Sequence, residues 1–308
     1  MKAGKYMGFK RISNSLGQFE MLALDQRGAL RRLISAFREV REPEDLISVK
    51  TAILKTLSKS VSAVLIDPEF GFPDNLRHVP ARTGVIVAVE KTGYVESMEE
   101  KGRLSELVSE DIIERVKLSG ADAVKLLLYW SENASEKVKA QQMKITGEVG
   151  KRCEEQGLLY ILEVVTYDTA PQGREFHVMS SVKLFSRDEY RVDLFKIEPF
   201  EPVKSSLTRS DVQQAAQGKP WVILSGGMDV FDFAKTLEFN CSLGASGFLG
   251  GRVIWKKAVE LIDSQDLMEE YLSTSGIYSL EMIKEASKRA IPYYLTPHIG
   301  GHERLTLE

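Results

Sequence analysis

Three ionisable side chains fall inside short apolar runs, where a charge is costly to keep. Lys125 stands in Ala123-Val124-Lys125-Leu126-Leu127-Leu128, Glu163 in Tyr160-Ile161-Leu162-Glu163-Val164-Val165, and Lys196 in Val192-Asp193-Leu194-Phe195-Lys196-Ile197-Glu198. Such residues are almost never fully buried unless paired. If the runs are strands, side chains alternate between faces, so Leu194, Lys196 and Glu198 share one face while Phe195 and Ile197 share the other. The bulky pair suits packing against helices, which turns Lys196 inward. Burial and a neighbouring cation both disfavour an ammonium, and an uncharged amine is what imine formation with a carbonyl requires at neutral pH. Lys125 is placed to supply that cation and to hold ligand hydroxyls, and Glu163 to move protons. For Lys196 alone, a snorkelling lysine or a structural ion pair with Glu198 is the competing account. Three such residues on successive runs make a cluster that is destabilising unless every charge is paired, and this favours chemistry.

A second set of residues suits an anion. Ser225-Gly226-Gly227 and Gly250-Gly251-Arg252 each follow an apolar run. Glycines let backbone N–H groups approach a ligand, the start of a following helix adds a favourable dipole, and arginine offers a fixed fork for phosphate.

The elements that must position these groups alternate along the chain. Eight runs read as strands: Glu20–Leu24, Ser62–Ile66, Gly84–Val89, Ala121–Leu128, Leu158–Val164, Val192–Ile197, Trp221–Leu224 and Ala245–Leu249. Their unbroken Val, Ile and Leu content is that of parallel strands buried on both faces. Amphipathic segments lie between them, among them Pro43–Ser60, Ser105–Ser119, Ser135–Gln156 and Val230–Ser242. Arg252–Ser264, Leu267–Ser275 and Leu280–Ala290 follow the last strand. The pattern predicts an α/β fold, a closed (β/α)8 TIM barrel with extra C-terminal helices, in preference to an open doubly wound sheet. The latter would carry a glycine-rich first turn where this chain has Asp25-Gln26-Arg27-Gly28. All 308 residues are expected to form one barrel domain, with a helical extension over about 265–308. Such barrels work at the C-terminal ends of their strands. That rule selects Asp25, Asp67, Lys125, Glu163, Lys196, Ser225 and the Gly250-Gly251-Arg252 turn.

Composition narrows the class. A formal net charge of −3 lacks the basic footprint of a nucleic-acid binder. No stretch approaches the ~18 apolar residues of a membrane span, and the first residues, Met1 to Tyr6, carry no apolar leader core, so a cytoplasmic protein is expected. Cys153 and Cys241 are far apart and read as reduced, partly buried thiols. His78, His177, His298 and His302 are scattered. The pair His298-Ile299-Gly300-Gly301-His302 contains two glycines, which disfavours a helical metal site, and no metal is predicted. The charge-rich stretch Glu96–Glu106 reads as a solvated loop or helix start.

The motifs Ala23-Leu24-Asp25-Gln26-Arg27-Gly28, Leu65-Ile66-Asp67-Pro68-Glu69-Phe70-Gly71, Val124-Lys125-Leu126-Leu127, Leu162-Glu163, Phe195-Lys196-Ile197-Glu198, Pro220–Ser225 and Gly244–Arg252 resemble those of the class I tagatose 1,6-bisphosphate aldolase family. They are also similar to its near relatives, the sulfofructose-phosphate aldolases. The resemblance spans the barrel in order. It implies Lys196 as the Schiff-base lysine, Glu163 as the acid/base glutamate, Lys125 as the lysine beside the substrate's hydroxyls, and Asp25 and Gln26 as first-strand site residues. It implies Ser225 and Arg252, with backbone groups around Gly226 and Gly251, as the phosphate site. Cleavage of a ketose phosphate such as tagatose or fructose 1,6-bisphosphate to dihydroxyacetone phosphate and glyceraldehyde 3-phosphate follows as the expectation, without cofactor or metal. The segment Tyr167–Asp193 looks closer to the sulfofructose branch, which would give sulfolactaldehyde; the C-terminal helices look closer to the tagatose branch. A lyase or isomerase without a covalent intermediate and a non-catalytic phosphosugar sensor are the other readings. The expected partner is a small sugar phosphate, not nucleic acid or membrane, and a homodimer or larger homo-oligomer stays open.

Overall fold

Runs of branched apolar residues pair edge to edge until none has a free edge. In the computed structural model, which describes residues 1–96, 102–300 and 305–307, eight parallel strands close into a barrel. They are β1 (Phe19–Leu24), β2 (Ala63–Ile66), β3 (Gly84–Ala88), β4 (Ala123–Trp130), β5 (Leu159–Thr166), β6 (Leu194–Ile197), β7 (Trp221–Ile223) and β8 (Gly247–Gly250). Chain order is also the order around the ring, and β1 pairs with both β2 and β8. Each strand lies where its apolar run predicts, with ends displaced by no more than two residues.

The two-residue period sorts the side chains. Met21, Ala23, Leu65, Ile86, Ala88, Ile161, Leu194, Val222 and Leu249 fill the inside of the ring. Their chain neighbours Leu22, Val64, Val87, Leu162, Phe195, Ile197, Ile223 and Phe248 belong to the larger core between strands and helices. Phe195 and Ile197 therefore face the helices and Lys196 the interior, as the alternation predicts.

The N-terminal mouth is plugged. Helix α1 (Ala3–Ile12), which the sequence reading did not anticipate, puts Phe9 and Ile12 under the ring with Phe19, Tyr293 and Ile299. The Phe9 and Tyr293 rings stack at 5.3 Å. Gly8 allows the close approach, since a Cβ there would lie 2.9 Å from the Asp122 carbonyl oxygen and from Leu159.

Helices α2 (Gly28–Ser35), α3 (Glu44–Leu57), α4 (Ile112–Leu118), α5 (Glu136–Gln156), α6 (Arg174–Phe185), α7 (Arg209–Ala215) and α8 (Val230–Ser242) cover the outside. Ser135 caps α5 by accepting the Val138 N–H, and Gly157 ends it in the left-handed region. The predicted helix Ser105–Ser119 begins only at Ile112. The residues before it are drawn across the barrel mouth instead: Lys91 donates to the Glu106 carbonyl and Val108 to that of Val89. Arg103 lies over the rings of Tyr94 and Tyr167. Part of the charge-rich stretch, residues 97–101, lies outside the described residues, as does His302. Beyond β8, the predicted helix Arg252–Ser264 is a short α9 (Arg252–Trp255) followed by a 3-10 segment, Lys256–Leu261. Helices α10 (Gln265–Tyr271) and α11 (Ile277–Ala286), joined through a π turn, pack against α3 and α8 and complete the outer ring. Among the described residues no helix is long and apolar enough to cross a membrane.

The seam between β1 and β8 is tightest at Gly247, where φ is +139° and a Cβ would lie 1.9 Å from the Phe19 carbonyl oxygen. Backbone cannot yield there without breaking the ladder. Gly247→Ala is therefore expected to lower unfolding stability by about 3 kcal/mol or more. A chemical denaturation midpoint unchanged from the parent would contradict this account of closure.

Candidate active site

Counting inward positions by two past the ends of the apolar layers brings the ionisable residues to one level. Met21 and Ala23 lead to Asp25 on β1, Ile86 and Ala88 to Glu90 after β3, and Leu159 and Ile161 to Glu163 on β5. Leu194 leads to Lys196 on β6. Glu163 and Lys196 are direct register partners across β5 and β6. Lys125 sits one layer deeper, opposite Ile161. Above them opens a cavity of about 450 Å³, lined among others by Asp25, Gln26, Glu163, Lys196, Ser225, Gly226, Gly251 and Arg252.

Lys196 is 3% exposed and Glu163 7%, and their Nζ and Oε1 are 2.8 Å apart. Glu198, the rival partner suggested by the sequence, is occupied elsewhere: its Oε2 accepts the Thr166 N–H at 2.8 Å and hydroxyl at 2.6 Å. Lys125 does not line the cavity and has no solvent exposure. Its ammonium meets three carboxylates, Asp25 at 2.7 Å, Glu90 at 2.6 Å and Glu163 at 3.0 Å. Burial opposes that charge, but Asp25, Glu163 and Glu90 more than offset it and hold the ammonium well above the usual lysine range. Burial likewise opposes the Asp25 carboxylate, and Lys125 and Lys196 overcome it, holding Asp25 well below the usual carboxyl range. The three carboxylates thus favour a charged Lys125, which reaches a ligand only by giving up one of them.

Glu90 is the residue the sequence reading passed over. Besides Lys125, it accepts the Leu127 N–H at 3.0 Å and so ties β3 to β4. The same count by two along Gly84–Val89 would have found it. Asp67, selected as a strand-end candidate, turns away from the cavity and pairs with Lys50 of α3.

At the other side of the mouth, Ser225 follows β7 and is 5% exposed. Gly226 and Gly227 both have positive φ, a turn that exposes backbone N–H groups. Arg252 opens α9, and its Cζ lies 3.8 Å from where a Gly227 Cβ would be. Helix α9 is tied to β1 by the Trp255 indole N–H, which donates to the Ala23 carbonyl at 3.0 Å. Arg27 is taken by Glu69 at 2.7 Å and by the Glu90 carbonyl at 2.6 Å, and Lys91 by Glu106. Arg32 also lines the cavity, beside Gly28 and Thr92. The guanidiniums of Arg32 and Arg252 have no ion pair or hydrogen bond to a described residue. Gln26 Oε1 is buried without a partner. Among the described residues, no group of three or more His, Cys, Asp or Glu could hold a metal ion. His177 instead accepts the Glu132 N–H within the fold.

An amine in contact with a proton acceptor, beside two guanidiniums free to bind anions, is equipped for carbonyl chemistry on a phosphorylated substrate. The comparisons name the class. Residues 19–257 match the model for the DeoC/LacD family aldolase, a span that takes in all eight strands and every site residue named above. The protein is an aldehyde-lyase. It belongs to the DeoC/LacD family of aldolases. Tagatose 1,6-diphosphate aldolase of Staphylococcus haemolyticus is 32% identical over 316 residues, covering 92% of this chain and 95% of that one. Tagatose 1,6-diphosphate aldolase 2 of Enterococcus faecalis is 30% identical over 313 residues, covering 92% and 94%. The fold is shared with the fructose-bisphosphate aldolase of Plasmodium falciparum at a TM-score of 0.65 and 16% identity, over 93% and 94% of the two chains.

The depressed Asp25 carboxyl has a consequence for acid stability. Its contribution is complete above the unfolded value, roughly pH 4, and is lost as pH falls through the lower folded value. Asp25→Asn is expected to be less stable than the parent at pH 6, and the difference should shrink as pH is lowered below about 4. Unfolding midpoints that keep a constant gap down to about pH 2.5 would refute the assignment.

Proposed function

We propose that this chain is a class I aldolase that cleaves a ketose 1,6-bisphosphate, of the tagatose or fructose type, through an imine on Lys196. The observation that carries the reading is the 2.8 Å contact between Lys196 and Glu163. Glu163 takes a proton from Lys196, and the freed amine attacks the C2 ketone. The carbinolamine loses water as Glu163 returns that proton to the departing hydroxyl, leaving a protonated imine. Glu163, again a carboxylate, accepts the proton of the C4 hydroxyl while the C3–C4 electron pair moves toward the imine nitrogen. The aldehyde leaves, the enamine is protonated at C3, and water releases dihydroxyacetone phosphate from the lysine. Asp25 orients hydroxyls around this centre, and Lys125, one layer below, holds Asp25 and Glu163 in place. A sugar phosphate does not cross membranes unaided, which supports a cytoplasmic reaction.

Two guanidiniums without a partner among the described residues support a substrate with two anionic ends. Ser225, Arg252 and the backbone at Gly226 and Gly251 hold the C1 phosphate. Arg32, on the β1 and β3 side of the mouth, takes the group on C6. A sulfonate there would satisfy Arg32 as a phosphate does, and rates on both kinds of substrate separate the two.

Borohydride reduction in the presence of dihydroxyacetone phosphate is expected to add a stable mass to the peptide containing Lys196. The adduct should be absent in Lys196→Ala. Turnover without any adduct in the parent would exclude the imine route. Glu163→Gln should lower kcat by a factor on the order of 10² to 10⁴.

The two arginines should separate by substrate. Arg252→Ala is expected to weaken dihydroxyacetone phosphate and the bisphosphate alike, by about tenfold or more. Arg32→Ala should raise KM for the bisphosphate and leave dihydroxyacetone phosphate binding unchanged. Equal effects of Arg32→Ala on both ligands would remove Arg32 from the far end of the site.

A further inference from the structure

Lys50 lies in the middle of α3, outside the barrel, yet it is without solvent exposure and so is its partner Asp67. An ammonium has three N–H donors, and all three of Lys50 are used. One goes to the Leu24 carbonyl at 2.7 Å, one to the Gln26 carbonyl at 2.9 Å, and one to Asp67 Oδ1. The two carbonyls are those on either side of Asp25. The other Asp67 oxygen accepts the backbone N–H groups of Glu69 and Phe70 at 3.0 and 2.8 Å, so the clamp is anchored in the turn after β2. Asp25 is held from behind through its backbone and from the front through its carboxylate on Lys125.

A buried ion pair is a poor source of stability, because an apolar pair of similar volume does as well. What it supplies is direction. Here the direction is toward the one first-strand residue that touches Lys125. We propose that Lys50 is a positioning residue for the cleavage step, fixing the backbone on both sides of Asp25 so that Asp25 and Glu90 keep Lys125 in place while Glu163 changes protonation. The inference rests on the imine reading given above. If Asp25 drifts, Lys125 loses one of its two steady partners and closes on Glu163, the group that must stay free to trade protons with Lys196 and the C4 hydroxyl. Capture of dihydroxyacetone phosphate also uses Arg252, Ser225 and Lys196, none of which Lys50 touches.

The test compares Asp67→Asn with the double variant Lys50→Met/Asp67→Asn, in which no buried charge is left unpaired. Borohydride trapping with dihydroxyacetone phosphate counts the working Lys196 sites, and kcat and KM for bisphosphate cleavage are expressed per trapped site. The double variant is expected to trap at dihydroxyacetone phosphate concentrations close to those of the parent. Its kcat per trapped site should fall by a factor on the order of 10 to 100, with KM little changed. Asp67→Asn retains both carbonyl contacts of Lys50 and should keep kcat per site within about threefold of the parent.

A purely structural Lys50 would reduce the number of trapped sites and the melting temperature while leaving kcat per site as it was, and that result overturns the proposal. So does an equal loss of kcat per site in both variants, which would assign the effect to the Asp67 charge. A double variant without trappable sites also counts against it, since the pair would then hold the barrel itself. Failure of the parent to trap at all is a different outcome, because it rejects the imine reading on which the inference stands.

Discussion

A buried lysine ringed by three carboxylates at the centre of a barrel constrains everything around it. Lys125 is fully buried and has three carboxylates within hydrogen-bonding distance. Each is carried by a different strand: Asp25 follows β1, Glu90 follows β3 and Glu163 lies within β5. Desolvation of an isolated ammonium costs several kcal/mol even after relaxation, so those three strands cannot drift apart without exposing that penalty. The cluster therefore adds a second constraint on relative strand positions near the mouth, beside the hydrogen-bonded ladder that pairs Glu163 with Lys196. Chemistry that depends on a few tenths of an ångström is built on the one place where the frame is held by charge.

The charge balance of the same cluster suits the proposed proton transfer inside an apolar ring. With all groups ionised, the three carboxylates outnumber the two ammoniums by one. Passing a proton from Lys196 to Glu163 leaves that excess unchanged. The transfer needs no counterion and little solvent rearrangement, and a low-dielectric surrounding does not resist it as it would a net change in charge. Lys125, one layer below, stays charged through both states because Asp25 and Glu90 remain. Its deep position is thus part of the arrangement: it lies close enough to Glu163 to bias it and is covered from the substrate by the groups it binds.

How much of this is legible in the sequence depends on whether a residue's role is local or tertiary. The eight strands and the inward aim of Lys196 follow from a two-residue period in runs buried on both sides, and that constraint leaves little freedom. Glu90 escaped because it stands one residue beyond the run Gly84–Val89, where the apolar signal has stopped although the alternation continues. Helix α1 escaped because its residues, AGKYMGFKRI, carry two glycines and three cations; it is helical because it fits the barrel floor, not because of its own propensity. Arg32 has no signature at all. A charged residue on α2 reads as solvated, and its meaning comes only from the cavity it borders.

Lys50 falls between these cases. In α3, Leu46, Val49, Ile53 and Leu57 make the stripe that packs on the strands, and Lys50 interrupts that stripe, whereas Lys55 lies on the exposed side. A lysine on the buried face of an amphipathic helix conflicts with its surroundings, and such conflicts persist where something other than packing requires them. The sequence thus shows that Lys50 is anomalous but not what it holds. Only the fold brings its ammonium to the carbonyls of Leu24 and Gln26. The outer helices of the barrel are consequently more than a cover: one of them reaches through the strand ring to set the backbone of the residue that steadies the central charge.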